Sequence, residues 1–512
     1  MSKIQSSSPA TETMIPQATA VVLVQKWWIW GQRWGQQWGQ QWGRYGLIAL
    51  FASMVAGLGV WLNPKPLQQA EREMQSRFWQ WRGTVAAPEN IVIVGIDTRT
   101  LNAVGSFPFD RRHYAQSIDK ILGAGAKGVA LDILLASPRD PLPLPAGQVD
   151  EEDCEGKRLG AGDRAFQQTL KRYGNRITMA TSFSANKEGN LNQMQLVVPY
   201  CAFQQPNLRY GNIDFTTENE VYHQLGDRFL QTLQAQSDAA RIHIEDFHMQ
   251  PFANAAAATA GWPLASRSGK DGSGKDGSGK DGSGQDIYYY GGASTFETVS
   301  LADVLIPDNW QNRFQNGAFF KDKLVLVGAI DRTLGDVRET PLGMMPGVEI
   351  HANALATLIQ GRSVRPLLPT AAAAGLVMVA VLGSAALQAK AKQPAWRLLW
   401  TGALMLAGLF TSYGLLTQMS YLIPTVTPLG AIGLTGLSYV GLSFARDRRR
   451  SHQLEATLQD RSRDPVVRDI INQQTDEELK QKLLQGRQQE LLGARIGGGR
   501  YEIIKIHSAG GF

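Results

Sequence analysis

Apolar residues fall into two kinds of run along this chain. The first kind is as long as a membrane is thick. Residues 46–62 (GLIALFASMVAGLGVWL) carry no charge and follow Lys26, Arg33 and Arg44; at about 1.5 Å of rise per residue they just span a hydrocarbon core of roughly 30 Å. Residues 370–389 form a second uncharged stretch, closed by Lys390, Lys392 and Arg397, which mark a turn. From Leu398 to Ala445 no residue is charged, enough for helices over 398–417 and 421–445 with QMSYLIP (418–424) between them, before Arg446, Arg448, Arg449 and Arg450. The polar leader before the first run is too long for a signal peptide and no A-x-A site follows, so that run reads as an uncleaved anchor. With Lys and Arg on the inside, the leader 1–45, the 390–397 turn and everything after Arg446 are cytoplasmic, and residues 63–369 lie outside. The expected location is the inner (plasma) membrane.

The second kind of run is short and alternates with helical periodicity. IVIVGID (91–97), GVALDILL (128–135), ITMATSF (177–183) and KLVLVGAI (323–330) are continuous apolar stretches of the kind buried on both faces of a sheet. Between them Tyr114, Ile118, Ile121 and Leu122, then Phe166, Leu170 and Tyr173, and after the last strand Val348, Leu355, Leu358 and Ile359 recur at helical spacing. The rhythm predicts an α/β domain, a mainly parallel sheet with flanking helices, attached to four transmembrane α-helices. Residues 199–264 show no clear pattern. Trp30, Trp34, Trp38 and Trp42 repeat just before the first span, as an interfacial belt or as low-complexity drift. The insert 266–286 repeats S-G-K-D-G and reads as a flexible loop; its lysines and lack of a bidentate Glu exclude a calcium loop at Asp271, Asp276 and Asp281.

Composition narrows the chemistry. A mean hydropathy of −0.20 over 512 residues conceals the four spans, and 51 Lys and Arg against 45 Asp and Glu leave a formal charge of +6, which does not call for nucleic acid as a partner. Two cysteines, Cys154 and Cys201, exclude a disulfide-dense scaffold, an iron–sulfur site and an all-cysteine zinc site. Exported, they would meet an oxidising compartment, where a Cys154–Cys201 bridge would stabilise by roughly 4 kcal/mol on loop-entropy grounds; free thiols remain the alternative.

In a doubly wound sheet ligands favour the carboxyl ends of strands, and polar residues cluster there: Asp97, Asp132, Asp331 and Asp336, with Arg111 after the GSFPFDR turn and His351 and Asn353 on the last helix. Each also has a structural reading. Asp97 can cap a turn, Asp132 can pair with a core arginine, and His351 can be a packing histidine.

The residues themselves resemble a known family. WQWRGTVAAPENIVIVGIDTRTLNAVGSFPFDRRHYAQSIDKILGAGAKGVALDILLASP (79–138) looks like the start, and ETPLGMMPGVEIHANALATLIQGR (339–362) like the end, of the CHASE-type extracellular sensory domain, second class. The resemblance implies one transmembrane helix before the domain and three after it, and an output such as a serine/threonine kinase, histidine kinase or nucleotide cyclase. It places the family's acidic strand end on Asp97, its Pro-x-x-Arg turn on Pro108 to Arg111, its Asp-Ile pair on Asp132 and Ile133, and its closing segment on Thr340, Pro341 and Pro346 to Ala352, which includes Glu349 and His351. Phe107, Phe109 and Asp110 depart from the family, where Trp, Trp and Pro are common. The family has no agreed ligand, so the candidate binding set is Asp97, Arg111, Asp132, Asp336, Thr340, Glu349 and His351 for an unknown stimulus.

GGRYEIIKIHSAGGF (498–512) is similar to the opening of a bacterial, cyanobacterial-like serine/threonine kinase, with Ser508, Gly510 and Gly511 in the glycine-rich loop over the ATP phosphates. The lysine, base and metal ligands of a kinase would lie beyond Phe512, so the chain as written is expected to be a sensor lacking the catalytic core. It needs no metal or cofactor, and ATP only if a kinase domain follows. Residues 446–499 read as a linker. The expected function is a membrane-anchored receptor module, in contact with lipid, passing a stimulus to a cytoplasmic kinase or other output partner and compatible with a homodimer. The alternatives are an extracytoplasmic enzyme using Asp97, Asp132 and His351, or a membrane interaction protein.

Overall fold

The computed structural model describes residues 45–139, 159–188, 191–215, 217–218, 221–222, 250–264, 286–391, 393–460, 495–496 and 501–502. The chain divides into two compact units, one made of 57–377 with 407–427 and the other of 1–56, 378–406 and 428–512.

The first unit is built on a sheet of β1 (Ile91–Ile96), β2 (Gly128–Asp132), β3 (Ile177–Glu188), β4 (Leu191–Val197), β5 (Arg209–Asn212), β6 (Glu297–Ser300) and β7 (Leu324–Ala329). The order is β4-β3-β2-β7-β1-β6, with β5 also paired to β3. Every pairing is parallel except β3 with β4. β7, last in the chain, lies at the centre between β1 and β2, in register Ile91 with Leu324 and Gly128 with Leu324. The reason is hydrophobicity: β1 and β2 are buried at every position, so each must be covered on both faces. Alternation divides β1 between two cores. Val92, Val94 and Ile96 meet Ile118 and Ile121 of α4 (Arg112–Gly123) and Phe166 and Leu170 of α5 (Ala161–Tyr173). Ile91 and Ile93 meet Phe78 and Trp79 of α2 (Lys65–Arg82), Ala256 of α6 (Phe252–Thr259) and Val348 and Leu355 of α7 (Gly347–Ile359). Gly328 allows α7 to lie close on β7, since a Cβ there would fall 2.7 Å from Val348 Cβ.

Among the described residues, four helices are long and apolar enough to cross a membrane: α1 (Tyr45–Leu62), α8 (Thr370–Lys390), α9 (Pro394–Met419), and the Val426–Leu454 part of α10 (Val426–Asp460). In the second unit Tyr45, Ala49, Ala385 and Tyr439 form a small buried cluster.

Several expectations need correction. The first strand ends at Ile96, because Asp97 turns away to cap the short helix α3 (Thr98–Val104). β2 ends at Asp132 and not at Leu135. Arg397 was expected in a turn; it lies inside α9 and is buried. Residues 199–264 contain β5 and α6, which periodicity missed because RYGN is polar and FANAAAAT is apolar on nearly all sides. The tryptophan repeat and the S-G-K-D-G repeat before Asp286 lie outside the described residues.

Candidate functional site

Asp97 is positioned by the end of β1 and works as a cap. Its Oδ1 accepts from Thr100 N at 2.8 Å, from Thr100 Oγ1 at 2.7 Å and from Ser300 Oγ at 2.7 Å. Ser300 in turn caps the next helix, Leu301–Leu305, so Asp97 joins the ends of β1 and β6. Asp331, at the end of β7, accepts from Thr98, Thr333 Oγ1 and Thr333 N.

Arg111 points into the core. Its Nη1 donates to Asp163 Oδ1 at 2.6 Å, its Nη2 donates to the Ser137 carbonyl, and its guanidinium stacks 4.8 Å from the Phe203 ring centre. Asp163 is 1 % exposed and its other oxygen accepts from Arg139 N at 2.8 Å. Both charges are thus spent on the fold, which locks the GSFPFDR turn to α5.

Asp132 and His351 do come together. β2 carries Asp132 at its carboxyl end, α7 lays His351 over it, and Nε2 stands 3.8 Å from Oδ1, too far for a hydrogen bond. The imidazole lies between Phe215 and Phe252, with ring centres 4.8 and 4.9 Å away. Among the described residues, His351 Nδ1 and Asp132 Oδ2 are buried without a hydrogen-bond partner. Burial pushes Asp132 well above the usual carboxylate range, with Asp336 adding repulsion, and pushes His351 down to about 3. Both are driven toward their neutral forms. Asp336, itself raised by burial, pairs at 3.5 Å with Arg338 and accepts through its carbonyl from Gly347 N at the start of α7.

The signs of these shifts give a pH prediction. Asp132 contributes stability that is full below the ordinary Asp value of about 4 and is lost as pH rises toward its raised folded value. His351 contributes stability that is full above about 6.5 and is lost as pH falls toward about 3. Asp132→Asn should therefore raise the thermal midpoint of the full chain at pH 7 relative to the parent, and raise it less near pH 4. A destabilisation that grows toward neutral pH would mean that the pair is ionised.

Glu349 and Thr340 hold loops. Glu349 is buried on α7 and accepts from Ser294 N at 2.9 Å and Thr295 N at 2.8 Å; burial outweighs these bonds and raises its carboxyl. Thr340 Oγ1 donates to Gly343 O at 2.7 Å, closing the hairpin of β8 (Val337–Thr340) and β9 (Gly343–Pro346). Beside the end of β7 a cleft of about 220 Å³ opens, lined by Ile93, Ile330, Val337, Met344 and Glu349 with exposed Arg332 among its walls. Apolar side chains and polar groups share its lining, with Arg332 the one cation among the described lining residues, a setting for a small ligand. Among the described residues no group of three or more His, Cys, Asp or Glu could hold a metal ion.

Sequence reasoning missed one further carboxylate. Glu71 of α2 accepts from Thr425 N at 2.9 Å, Val426 N at 2.8 Å and Thr427 N at 3.3 Å, the first amides of α10. Such amides have no partner within the helix, and an acid there also complements the helix dipole. Burial raises the Glu71 carboxyl although the three amides pull it down. Beside it Arg72 pairs with Asp286, Asp286 N donates to Val364 O, and Arg365–Pro366 runs parallel to Tyr421–Leu422, the link between α9 and α10. No local pattern announces a contact across 354 positions.

Cys201 opens a short 3-10 turn, while Cys154, Ser508, Gly510 and Gly511 lie outside the described residues. The model of one family, the CHASE2 domain, matches residues 48–388. No curated protein and no solved structure matches the chain.

Proposed function

The chain belongs to the CHASE2 domain family of sensory domains, and from that premise we propose that it is the sensor module of a transmembrane receptor, with residues 63–369 outside the cell and both the leader and the segment after Arg446 inside. The observation that carries this reading is the Glu71 clasp: the helix that opens the sensory domain holds the first turn of the last long helix. The Arg365–Tyr421 pairing adds a second tie, just before α8 and just after α9. A stimulus received in the cleft beside Glu349, or at the Asp132–His351 pair, would shift the balance between two arrangements of these ties, provided it binds one of them more tightly. The output is a cytoplasmic partner of the kind that residues 498–512 resemble, a serine/threonine kinase. Lys26, Arg33 and Arg44 before α1, and Arg446 to Arg450 after the apolar part of α10, support this orientation. Export also places Cys154 and Cys201 where a bridge can form.

Reporter fusions test the orientation. A periplasmic-type reporter after Gln75 should be active and the same reporter after Gln459 inactive, with a cytoplasmic-type reporter giving the reverse. The same side for both sites would sink the proposal.

A further inference from the structure

In the second unit, cations gather around one tyrosine. Arg397, in the first turns of α9, is 7 % exposed, and its hydrogen bonds go to neutral acceptors. Its Nε donates to Ala391 O at 3.1 Å, and its Nη1 donates to Tyr439 O at 3.1 Å, to Ser443 Oγ, and to Tyr45 Oη at 3.4 Å. Among the described residues no carboxylate answers it, and none accepts from its Nη2. Arg446, three positions after Ser443, lies 5.3 Å from the centre of the same Tyr45 ring, and Arg397 lies 5.3 Å from it too. Arg448, Arg449 and Arg450 follow, all exposed, with Asp447 the one acid among them. A guanidinium held out of water without an anion is costly, so this arrangement asks for one from outside the protein.

We propose that Arg397 and Arg446, both beside Tyr45, bind the phosphate of an anionic phospholipid headgroup. Guanidinium forks match phosphate oxygens, and two guanidiniums each 5.3 Å from the centre of one tyrosine ring concentrate positive charge at this end of the helices. The neighbourhood argues for lipid over free phosphate. Trp396, Leu398, Leu399 and Trp400 flank Arg397 and are each about half exposed, a surface that acyl chains cover and a free ion does not use. These residues also sit at the Arg-flanked ends of membrane-length helices, where headgroups gather. The site stands whether or not residues 63–369 sense anything.

The test uses the full chain in nanodiscs of phosphatidylcholine with phosphatidylglycerol as the minor lipid, followed by native mass spectrometry of retained lipid. The parent should retain phosphatidylglycerol over phosphatidylcholine. Arg446→Gln, exposed and so harmless to folding, should lower that preference about fivefold. Arg397→Lys keeps the charge and loses the fork, and should lower it as well. Replacing Arg448, Arg449 and Arg450 together by Gln should lower it less than Arg446→Gln alone. No preference in the parent, an unchanged preference in Arg446→Gln, or a larger loss in the triple variant would overturn the site. Displacement of the lipid by millimolar inorganic phosphate would assign the arginines to the free ion and overturn the lipid assignment.

Discussion

Arg111→Gln is expected to cost about 3 to 5 kcal/mol of folding stability, the usual penalty for breaking a buried ion pair from one side. Among the described residues, the variant leaves Asp163, 1 % exposed, with only the Arg139 amide to answer its charge. Adding Asp163→Asn should recover part of the loss, because the stranded charge is then gone and the remaining groups can bond as neutrals. Chemical denaturation of the full chain in detergent measures both. A loss in Arg111→Gln below about 0.5 kcal/mol, the range of an ordinary surface change, would show that the arginine is free to serve a ligand.

That outcome bears on how the candidate residues could be read from sequence. Arg111 was legible as important and not as structural, since its partner Asp163 sits 52 positions away on a helix whose only signal was an apolar face. Asp97 was visible as an acid at a strand end; that it caps α3 and reaches Ser300 depends on β6, too short and polar to announce itself. By contrast the central strands were plain, because burial on both faces makes nearly every position apolar, and α4 was plain because Tyr114, Ile118, Ile121 and Leu122 are all buried. The four membrane-length helices were legible for the same reason, apolar composition over a fixed length. What stayed hidden is pairing between distant segments: the order that puts β7 at the centre of the sheet, the convergence of Asp132 and His351, and the tie from Glu71 to α10. Such contacts follow from which elements are adjacent, and no local run of residues encodes that.

Glu71→Ala should have the second large effect. It removes the acceptor for three backbone amides at the start of α10, and Thr425 is buried, so those amides lose their partner without full replacement by water. A loss of about 2 to 3 kcal/mol is expected, combining a lost helix cap with unsatisfied donors. Hydrogen exchange of Thr425, Val426 and Thr427 should speed up at least tenfold, since each 1.4 kcal/mol of lost protection is a factor of ten. Unchanged exchange at these amides would remove Glu71 from the account.

The central claim is that the sensory domain and the last helix respond as one system through this clasp, and a double-variant cycle read by hydrogen exchange tests it most directly. Asp132→Asn removes the titratable group that faces His351 of α7, and α7 leads through Arg365 to the Tyr421 pairing beside the start of α10. In nanodiscs the full chain carrying Asp132→Asn should show altered exchange over residues 446–460 relative to the parent, and that difference should disappear when Glu71→Ala is present in both. An equal difference with and without Glu71, or none in either background, would contradict a sensor that acts through its last helix.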